Sequence, residues 1–237
     1  MIALLSSNWE EIAKLKEDIN SKVDEKNPES NCLLGELYDQ QIVLAITGVG
    51  IKRARTISSN IIQKYKPELM IFAGFAGALS LDLKLGDIIM GTSITSIIKN
   101  ETKTLYTDFS LPTSRYTMGP LLTESRFIYN PQEKNRLFDS TGALAVDMET
   151  WGVVEAAMQS KIPVCCVRVI SDEANEILPD MAAIYSSTGE LDEKKAEQYF
   201  NSNPELLAPY LKFRFTNTYI ASKSLCEFIP HILRSSR

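Results

Sequence analysis

The sequence predicts an α/β domain of three layers, in which a central mixed, mostly parallel sheet is flanked by helices. Short apolar runs such as residues 69–73 and 164–170 are nearly continuous, which is typical of strands whose two faces are both covered. Amphipathic segments such as residues 51–64 separate these runs and carry apolar residues at helical spacing. The alternation of the two patterns over 237 residues favours one large domain.

The predicted elements follow one another along the chain without a repeat or a linker. We expect strands at 2–6, 33–38, 42–47, 69–73, 88–92, 121–128, 143–148 and 164–170, and helices at 10–22, 51–64, 131–139, 149–160 and much of 204–233. Residues 22–30 and 99–118 are expected to be irregular, and residues 74–77 to form a glycine-rich turn. The whole chain, 1–237, is predicted to be a single domain with a variable insertion at about 176–204 and a C-terminal helix.

Composition excludes several classes of function. With 25 Lys and Arg against 30 Asp and Glu, the net charge of −5 argues against binding to nucleic acid. The one histidine, His231, lies close to the C-terminus, which excludes a histidine-rich metal site and a Ser-His-Asp hydrolase. Nucleotide-phosphate and CxxC motifs are absent, so we expect no cofactor and no metal. Four cysteines that form no CxxC motif, and the lack of an apolar run of membrane-spanning length, predict a cytoplasmic protein.

Three acidic residues stand where strands are predicted to end. Glu11 follows the first strand, Glu149 lies between a strand and a helix, and Asp172 directly follows the strand at 164–170. Ligands of α/β folds bind at the carboxyl ends of strands, so all three are candidate site residues. Each could equally be a helix cap or a surface acid. The glycines at 74 and 77 could let backbone approach a ligand, but close packing explains them as well.

Three motifs together resemble a known superfamily. These are GFAGAL at 74–79 with LGDII at 85–89, VDME at 146–149, and VRVISD at 167–172. They are similar to motifs of the purine nucleoside phosphorylase and methylthioadenosine/S-adenosylhomocysteine nucleosidase superfamily, and the resemblance covers residues 1–175. The segments GALAVDME at 142–149 and DEANEILP at 172–179 resemble most closely the hopanoid-associated phosphorylase-like branch, which is thought to remove adenine from an adenosyl-hopanoid.

The resemblance implies a role for each candidate residue. Asp172 matches the acid that protonates N7 of the departing purine, and burial would favour the protonated form that this step needs. Glu149 matches the acid that binds the ribose hydroxyls, and Glu11 the glutamate that activates water. The remaining substrate-binding candidates are Met148 against the ribose (or simply in the core), Phe127 stacked on the purine, Ile128 at its edge, Ser171 beside Asp172, and Gly74, Phe75 and Ala76 along the pocket.

Water or phosphate could be the acceptor of the ribosyl group. The segment SSNWEE at 6–11 has no arginine for phosphate, and Phe72 and Phe75 stand where the resembling phosphorylases carry Arg and Ser. An acid at position 11 would repel phosphate, so hydrolysis is favoured. Phe75 departs from the nucleosidases too, which leaves the binding of the nucleophile open. Cations for phosphate could still come from a neighbouring subunit, through Lys52, Arg53 and Arg55.

The predicted activity is therefore hydrolysis of a 5′-substituted adenine nucleoside, such as methylthioadenosine, S-adenosylhomocysteine or an adenosyl-hopanoid. Phosphorolysis and a purine-binding module without catalysis are the alternatives. The expected partners are the small-molecule purine nucleoside, phosphate if the reaction is phosphorolysis, and a second copy of the chain in a homodimer or larger homo-oligomer. The insertion could supply the wall of a pocket for a bulky 5′ group, with Met181, Ile184, Tyr185 and Phe200 as candidates.

Overall fold

The computed structural model describes residues 1–23, 32–109, 111, 115–184 and 191–235. The strands of the described residues are β1 (Ile2–Ser6), β2 (Asn20–Val23), β3 (Cys32–Leu37), β4 (Gln40–Ile46), β5 (Leu69–Ala78), β6 (Ile88–Ser96), β7 (Glu101–Thr104), β8 (Thr117–Thr123), β9 (Ala145–Asp147) and β10 (Val164–Asp172). The helices are α1 (Ala13–Asp18), α2 (Ile51–Tyr65), α3 (Pro131–Thr141), α4 (Thr150–Gln159), α5 (Met181–Ile184), α6 (Glu193–Ser202), α7 (Leu207–Lys212) and α8 (Thr218–Ser235). A short 3-10 turn, Pro204–Leu206, precedes α7, and a π-helical turn, Phe213–Asn217, joins α7 to α8.

All of these strands belong to one mixed sheet, which confirms the predicted fold class. Its centre is parallel, because β4, β1, β5 and β10 pair in parallel in that order. Antiparallel pairs join β2, β3 and β4 at one end, and β6 pairs antiparallel with β10. From β6 the sheet continues through β8 and β9 back to β5, so that five strands close on themselves. The carboxyl ends of β1, β4, β5 and β10 therefore meet at one edge of the sheet.

Helices cover both faces of the parallel centre. On one face, α2 and α4 pack with Leu5, Phe72 and Cys166 in one apolar cluster. On the other face, α8 packs with a second cluster that includes Leu4 and Cys165. The two adjacent cysteines thus point to opposite faces, as alternation along a strand requires. Because both faces are buried, the strands are apolar at nearly every position, which is the pattern seen in the sequence.

The glycine-rich turn predicted at 74–77 is wrong. These residues continue β5, which pairs with β10 from Gly74 opposite Arg168 to Gly77 opposite Asp172. Near its end β5 also pairs with β9. Two neighbouring strands therefore satisfy backbone groups that a turn would have left to solvent. The candidates Gly74, Phe75 and Ala76 are strand residues as a result.

Other differences lie at element ends. Only Ala13–Asp18 of the helix predicted at 10–22 is helical, because the following residues form β2 and pair with β3. The strand predicted at 121–128 begins and ends earlier, at Thr117 and Thr123. The region expected to be irregular at 99–118 contains β7, paired with β6. Most of the other expected irregular region, residues 24–30 of 22–30, lies outside the described residues.

The predicted insertion contains α5 and α6. Met181, Ile184 and Phe200 pack with Tyr199 and Tyr210 into a small apolar cluster of their own. Ile184 is fully buried there, so its side chain is used by the packing of the insertion itself. Tyr185, the fourth candidate for the pocket wall, lies outside the described residues. No helix of the described part of the chain is long and apolar enough to cross a membrane.

Candidate active site

Glu11 is a buried carboxylate held at the carboxyl end of β1. The turn after Ser6 brings Glu11 back towards the strand, and the Asn8 side-chain oxygen accepts the backbone N–H of Glu11 at 3.1 Å. Glu11 Oε2 accepts hydrogen bonds from Ser6 Oγ at 2.5 Å and from the Ser7 backbone N–H at 2.9 Å. Its other oxygen, Oε1, accepts the backbone N–H of Phe75 at 3.1 Å. Glu11 is therefore fixed between two strand ends.

Gly74 separates Glu11 from a buried arginine. A Cβ atom at position 74 would lie 2.7 Å from Arg168 Nη1 and 3.0 Å from Glu11 Oε2. Only glycine leaves room there for both charged groups. The Arg168 guanidinium also stacks over the ring of Phe72, 4.0 Å from its centroid. A carboxylate and a guanidinium therefore flank one backbone position of β5.

Arg168 is anchored by Asp147 rather than by Glu11. Its Nε donates to Asp147 Oδ2 at 2.7 Å, and its Nη2 donates to Thr150 Oγ1 at 2.5 Å. Asp147 in turn accepts Thr123 Oγ1 at 2.7 Å and the Thr150 backbone N–H at 3.1 Å at the start of α4. Burial alone would lower the pKa of Arg168, but the charges of Asp147, Glu11 and Glu149 leave that pKa raised. The guanidinium is thus a fixed positive charge.

Glu149 lies at the N-terminus of α4 and is 8% exposed. Its Oε1 accepts the backbone N–H of Gly50 at 2.9 Å, which links it to the turn between β4 and α2. Burial, followed by the nearby charge of Asp147, raises the pKa of Glu149 to about 8. The carboxyl group is therefore mostly protonated near neutral pH and can donate as well as accept a hydrogen bond.

Asp172 ends β10 and is fully buried. Its Oδ1 accepts Ser171 Oγ at 2.7 Å, and the same hydroxyl lies 3.3 Å from the carbonyl oxygen of Ala76. Its Oδ2 accepts a hydrogen bond from Lys134 Nζ, a contact that is also a buried ion pair. A Cβ at Gly77 would lie 2.9 Å from this oxygen. The sequence interpretation considered burial alone, whereas the structure places a cation against Asp172.

The two ends of the candidate site lie on the same strand. Glu11 and Arg168 flank Gly74, and Asp172 faces Gly77, three residues further along β5. At about 3.3 Å per residue, these two positions are about 10 Å apart along the strand, and both lie towards its carboxyl end, where ligands of α/β folds bind. Glu149 reaches the same edge from α4, through its contact with Gly50.

The apolar candidates lie around this edge in different ways. The ring of Phe127 meets Phe213 edge-on at 6.0 Å between centroids. Ile128 is buried in a cluster with Leu79 and Val146. The Phe75 side chain packs with the apolar cluster beneath α8, so its polar contribution is the backbone N–H that Glu11 accepts. Met148 is half-buried between Asp147 and Glu149.

Sequence reasoning missed Arg168 and Lys134 as site residues. Arg168 carried a usable signal, since it is the only charged residue in an otherwise apolar run before Ser171. Such a residue needs a buried partner. Lys134 carried no comparable signal, because a lysine in an amphipathic helix is usually solvated. No group of three or more His, Cys, Asp or Glu side chains within the described ranges is arranged to hold a metal ion.

Comparison with known proteins identifies the family. A family model described as the phosphorylase superfamily matches residues 1–113 and 93–202. This chain belongs to the phosphorylase superfamily. The superfamily prediction from the motifs is thereby confirmed, while the hopanoid-associated branch stays a prediction.

Relatives within the superfamily share the length and the fold of the chain. It is 26% identical over 218 residues to the 5′-methylthioadenosine/S-adenosylhomocysteine nucleosidase of Staphylococcus epidermidis, covering 79% of this chain and 96% of that one. The S. pneumoniae nucleosidase solved with the transition-state inhibitor MT-ImmA superposes with a TM-score of 0.75 at 16% identity, over 100% of this chain and 99% of that one. Futalosine hydrolase of Helicobacter pylori strain 26695 gives a TM-score of 0.67 at 16% identity, over 98% and 97%.

In a phosphorylase-superfamily protein, the cations near the acceptor site bear on the choice between water and phosphate. Arg55, one of the three basic residues of α2 considered for phosphate, pairs with Glu155 of its own chain at 3.2 Å. Lys52 and Arg53 are exposed on the same helix. The cation nearest to Glu11 in the contacts described above is Arg168, whose Nε and Nη2 are already bound by Asp147 and Thr150.

Proposed function

We propose that this protein hydrolyses the N-ribosidic bond of an adenine nucleoside that carries a substituent at the ribose 5′ position. One observation carries the proposal: charged groups flank two positions near the carboxyl end of β5, the Glu11 carboxylate and the Arg168 guanidinium at Gly74 and the buried Asp172 carboxylate at Gly77. This arrangement suits a reaction with an acceptor at one end of the substrate and a leaving group at the other. The names of the relatives supply the substrate class, methylthioadenosine and S-adenosylhomocysteine.

The leaving-group end of the proposed site is Asp172. As the bond between C1′ of the ribose and N9 breaks, its electron pair goes to the purine and positive charge develops on the sugar. A proton delivered to N7 through Asp172 neutralises the departing base. Ser171 holds the other oxygen of the carboxyl group, which fixes its orientation. Glu149 is proposed to bind the ribose hydroxyls, because its protonated carboxyl group can donate a hydrogen bond to one hydroxyl and accept one from another.

The acceptor end is Glu11. A water molecule beside this carboxylate would give it a proton while the water oxygen forms the new bond to C1′. Four donors, from Ser6, Ser7, Asn8 and Phe75, orient the carboxylate, and Oε1 accepts only one of these hydrogen bonds, which leaves it a lone pair for the water. A phosphate at the same place would bring its negative charge against Glu11, so the charge of this end favours water.

The first experiment is to incubate purified protein with methylthioadenosine, S-adenosylhomocysteine, adenosine and an adenosine with an apolar 5′ chain, with and without phosphate. Adenine and free ribose product should appear without phosphate. Formation of a ribose-1-phosphate that depends on phosphate would show phosphorolysis instead. Adenine binding without turnover of any substrate would support the binding module without catalysis.

The variant Asp172→Asn tests the role of the acid. It keeps the shape of the side chain but cannot pass a proton to N7, so kcat for adenine release should fall by about 10²–10⁴-fold. Circular dichroism should show an unchanged fold. Unchanged turnover by purified Asp172→Asn would contradict the assignment.

We further propose that the protein acts as a homo-oligomer in the cytoplasm. Phe215 and Tyr219, around the start of α8, are 70% and 69% exposed, and exposed aromatic side chains are typical of interfaces. All four cysteines are buried and reduced, which suits a reducing compartment. Light scattering after gel filtration tests the oligomeric state, and a monomer at assay concentration would contradict it.

A further inference from the structure

Lys134 is a fully buried lysine bonded to the proposed acid. It lies on α3, whose N-terminus is fixed by Asn130, the side chain of which accepts the backbone N–H of Gln132 at 2.9 Å. Lys134 Nζ donates to Asp172 Oδ2 and, at 2.9 Å, to the backbone carbonyl of Glu173. The ammonium group therefore binds the end of β10 at the residue proposed to act on the leaving group.

These contacts change how the acid can work. Asp172 accepts one hydrogen bond from Ser171 and one from Lys134, an arrangement that favours the ionised carboxylate. An ionised Asp172 has no proton of its own to give to N7. The titratable group that donates a hydrogen bond to Asp172 is the Lys134 ammonium, so its proton is the one within reach. Arginine in this position would pair with the carboxylate but would not release a proton, whereas lysine can.

We propose that Lys134 is a positioning residue that also stores the proton delivered to the purine. This inference rests on the proposed function. When C1′–N9 breaks, a proton moves from Lys134 Nζ to the Asp172 carboxylate and from the resulting carboxyl group to N7. The purine leaves neutral, Lys134 remains as the neutral amine and Asp172 as the carboxylate. Solvent reprotonates Lys134 after the product leaves, and no other reactant is needed.

The buried ion pair could also have a purely structural role, in which it links α3 to β10. The proton-storing role and the structural role predict different rates for different leaving groups. Adenine needs a proton in order to leave, but 4-nitrophenolate leaves as a stable anion. A stored proton matters for the first and not for the second, whereas a loosened fold would impair both.

The test compares release of adenine from methylthioadenosine with release of 4-nitrophenol from 4-nitrophenyl riboside. For Lys134→Met we expect kcat for adenine release to fall by about 10²–10⁴-fold, while 4-nitrophenol release falls by less than about fivefold. Lys134→Arg keeps the charge beside Asp172 and should show the same selective loss. Equal losses on both substrates, or a Lys134→Arg variant with the wild-type rate of adenine release, would overturn the proposal.

Wild-type protein gives a second readout that needs no variant to fold. Because a proton must reach N7, adenine release should slow more in D2O than 4-nitrophenol release, whose leaving group needs no proton. Equal solvent isotope effects for the two substrates would also overturn the proposal. Failure of the proposed function itself looks different, because the wild-type protein would then release neither product.

Discussion

The two ends of the candidate site both place a buried carboxylate near a buried cation, but they do so differently. At the Gly77 end, Lys134 bonds directly to the proposed acid, Asp172. At the Gly74 end, Arg168 lies near Glu11, but its Nε and Nη2 donate hydrogen bonds to Asp147 and Thr150 instead. Glu11 is bound instead by neutral donors, three backbone N–H groups and a hydroxyl.

The difference matches the opposite needs of the two ends. An acid must be supplied with a proton, and lysine is a cation that can lose one. A base for water must keep its lone pairs available, and neutral donors orient Glu11 without neutralising it. The arginine contributes positive charge that does not change with pH in the working range. The comparison therefore predicts that the two ends will respond differently to the same kind of substitution.

The largest expected effect is on Glu11. Replacing it by Gln removes the base proposed to take the proton of water, so kcat should fall by about 10²–10⁴-fold. Water is the acceptor whichever group leaves, so the loss should be the same for methylthioadenosine and for 4-nitrophenyl riboside. Initial rates with the two substrates measure this.

A matched control is Glu10→Gln, since Glu10 is the neighbouring acid and pairs with Arg214 at the surface. It should leave both rates within about twofold of wild type, as expected for an exposed pair. A selective loss of adenine release in Glu11→Gln would assign Glu11 to the leaving group and break the contrast between the two ends.

The next largest effect concerns the stability of the Gly74 end. Arg168→Met leaves Asp147 buried without its cation, so the free energy of unfolding should fall by about 3–5 kcal/mol. Adding Asp147→Asn removes the unpaired charge and should recover part of that loss. Urea unfolding monitored by circular dichroism gives these values.

Arg126→Met is the control, because Arg126 pairs with Glu133 at the surface with its side chain 56% exposed. It should cost no more than about 1 kcal/mol. If Arg168→Met were as mild as this surface variant, Arg168 would not be the fixed charge that the comparison assumes.

The acids of the site were predictable from the sequence, but the cations were not. Glu11, Glu149 and Asp172 stand next to apolar strands, and strand ends are where ligands of α/β folds bind. Lys134 lies far from Asp172 along the chain, and only the packing of α3 against the end of β10 brings the two together. The strand pairing of Gly74–Gly77 is also a tertiary effect, because glycine is a poor strand former and the neighbouring β10 decides its conformation.

The fold itself was more accessible than the site contacts. Burial on both sheet faces leaves a direct trace, the continuous apolar runs of β5 and β10. Short helices leave a weaker trace. The apolar spacing after β1 indicated a helix through residue 22, yet pairing of β2 with β3 ends α1 at Asp18. The local apolar pattern therefore predicted elements well where it agreed with core packing. It failed after Asp18, where pairing of β2 with β3 replaced the expected end of the helix.

The smallest expected effect concerns Glu149. Its carboxyl group accepts one backbone N–H, that of Gly50, whereas Asp172 is paired with a cation and Glu11 accepts several hydrogen bonds. Burial, with the charges of Asp147 and Glu11, raises its pKa to about 8 from an ordinary value of 4.5. Between these two values the folded protein holds a proton that the unfolded chain has lost. The free energy of unfolding should therefore decrease as pH rises through this window.

Glu149→Gln removes this titration and keeps an acceptor for the Gly50 N–H. Its free energy of unfolding should vary less than that of wild type between about pH 5 and pH 9, measured by urea unfolding. Glu17→Gln, at a side chain 71% exposed, should follow the wild-type curve. Parallel curves for wild type and Glu149→Gln would show that Glu149 is ionised in the folded protein, so that Arg168 stabilises Glu149 as well as Asp147. Arg168 at the Gly74 end would then stabilise several acids. Lys134, by contrast, forms its ion pair among the described residues with Asp172.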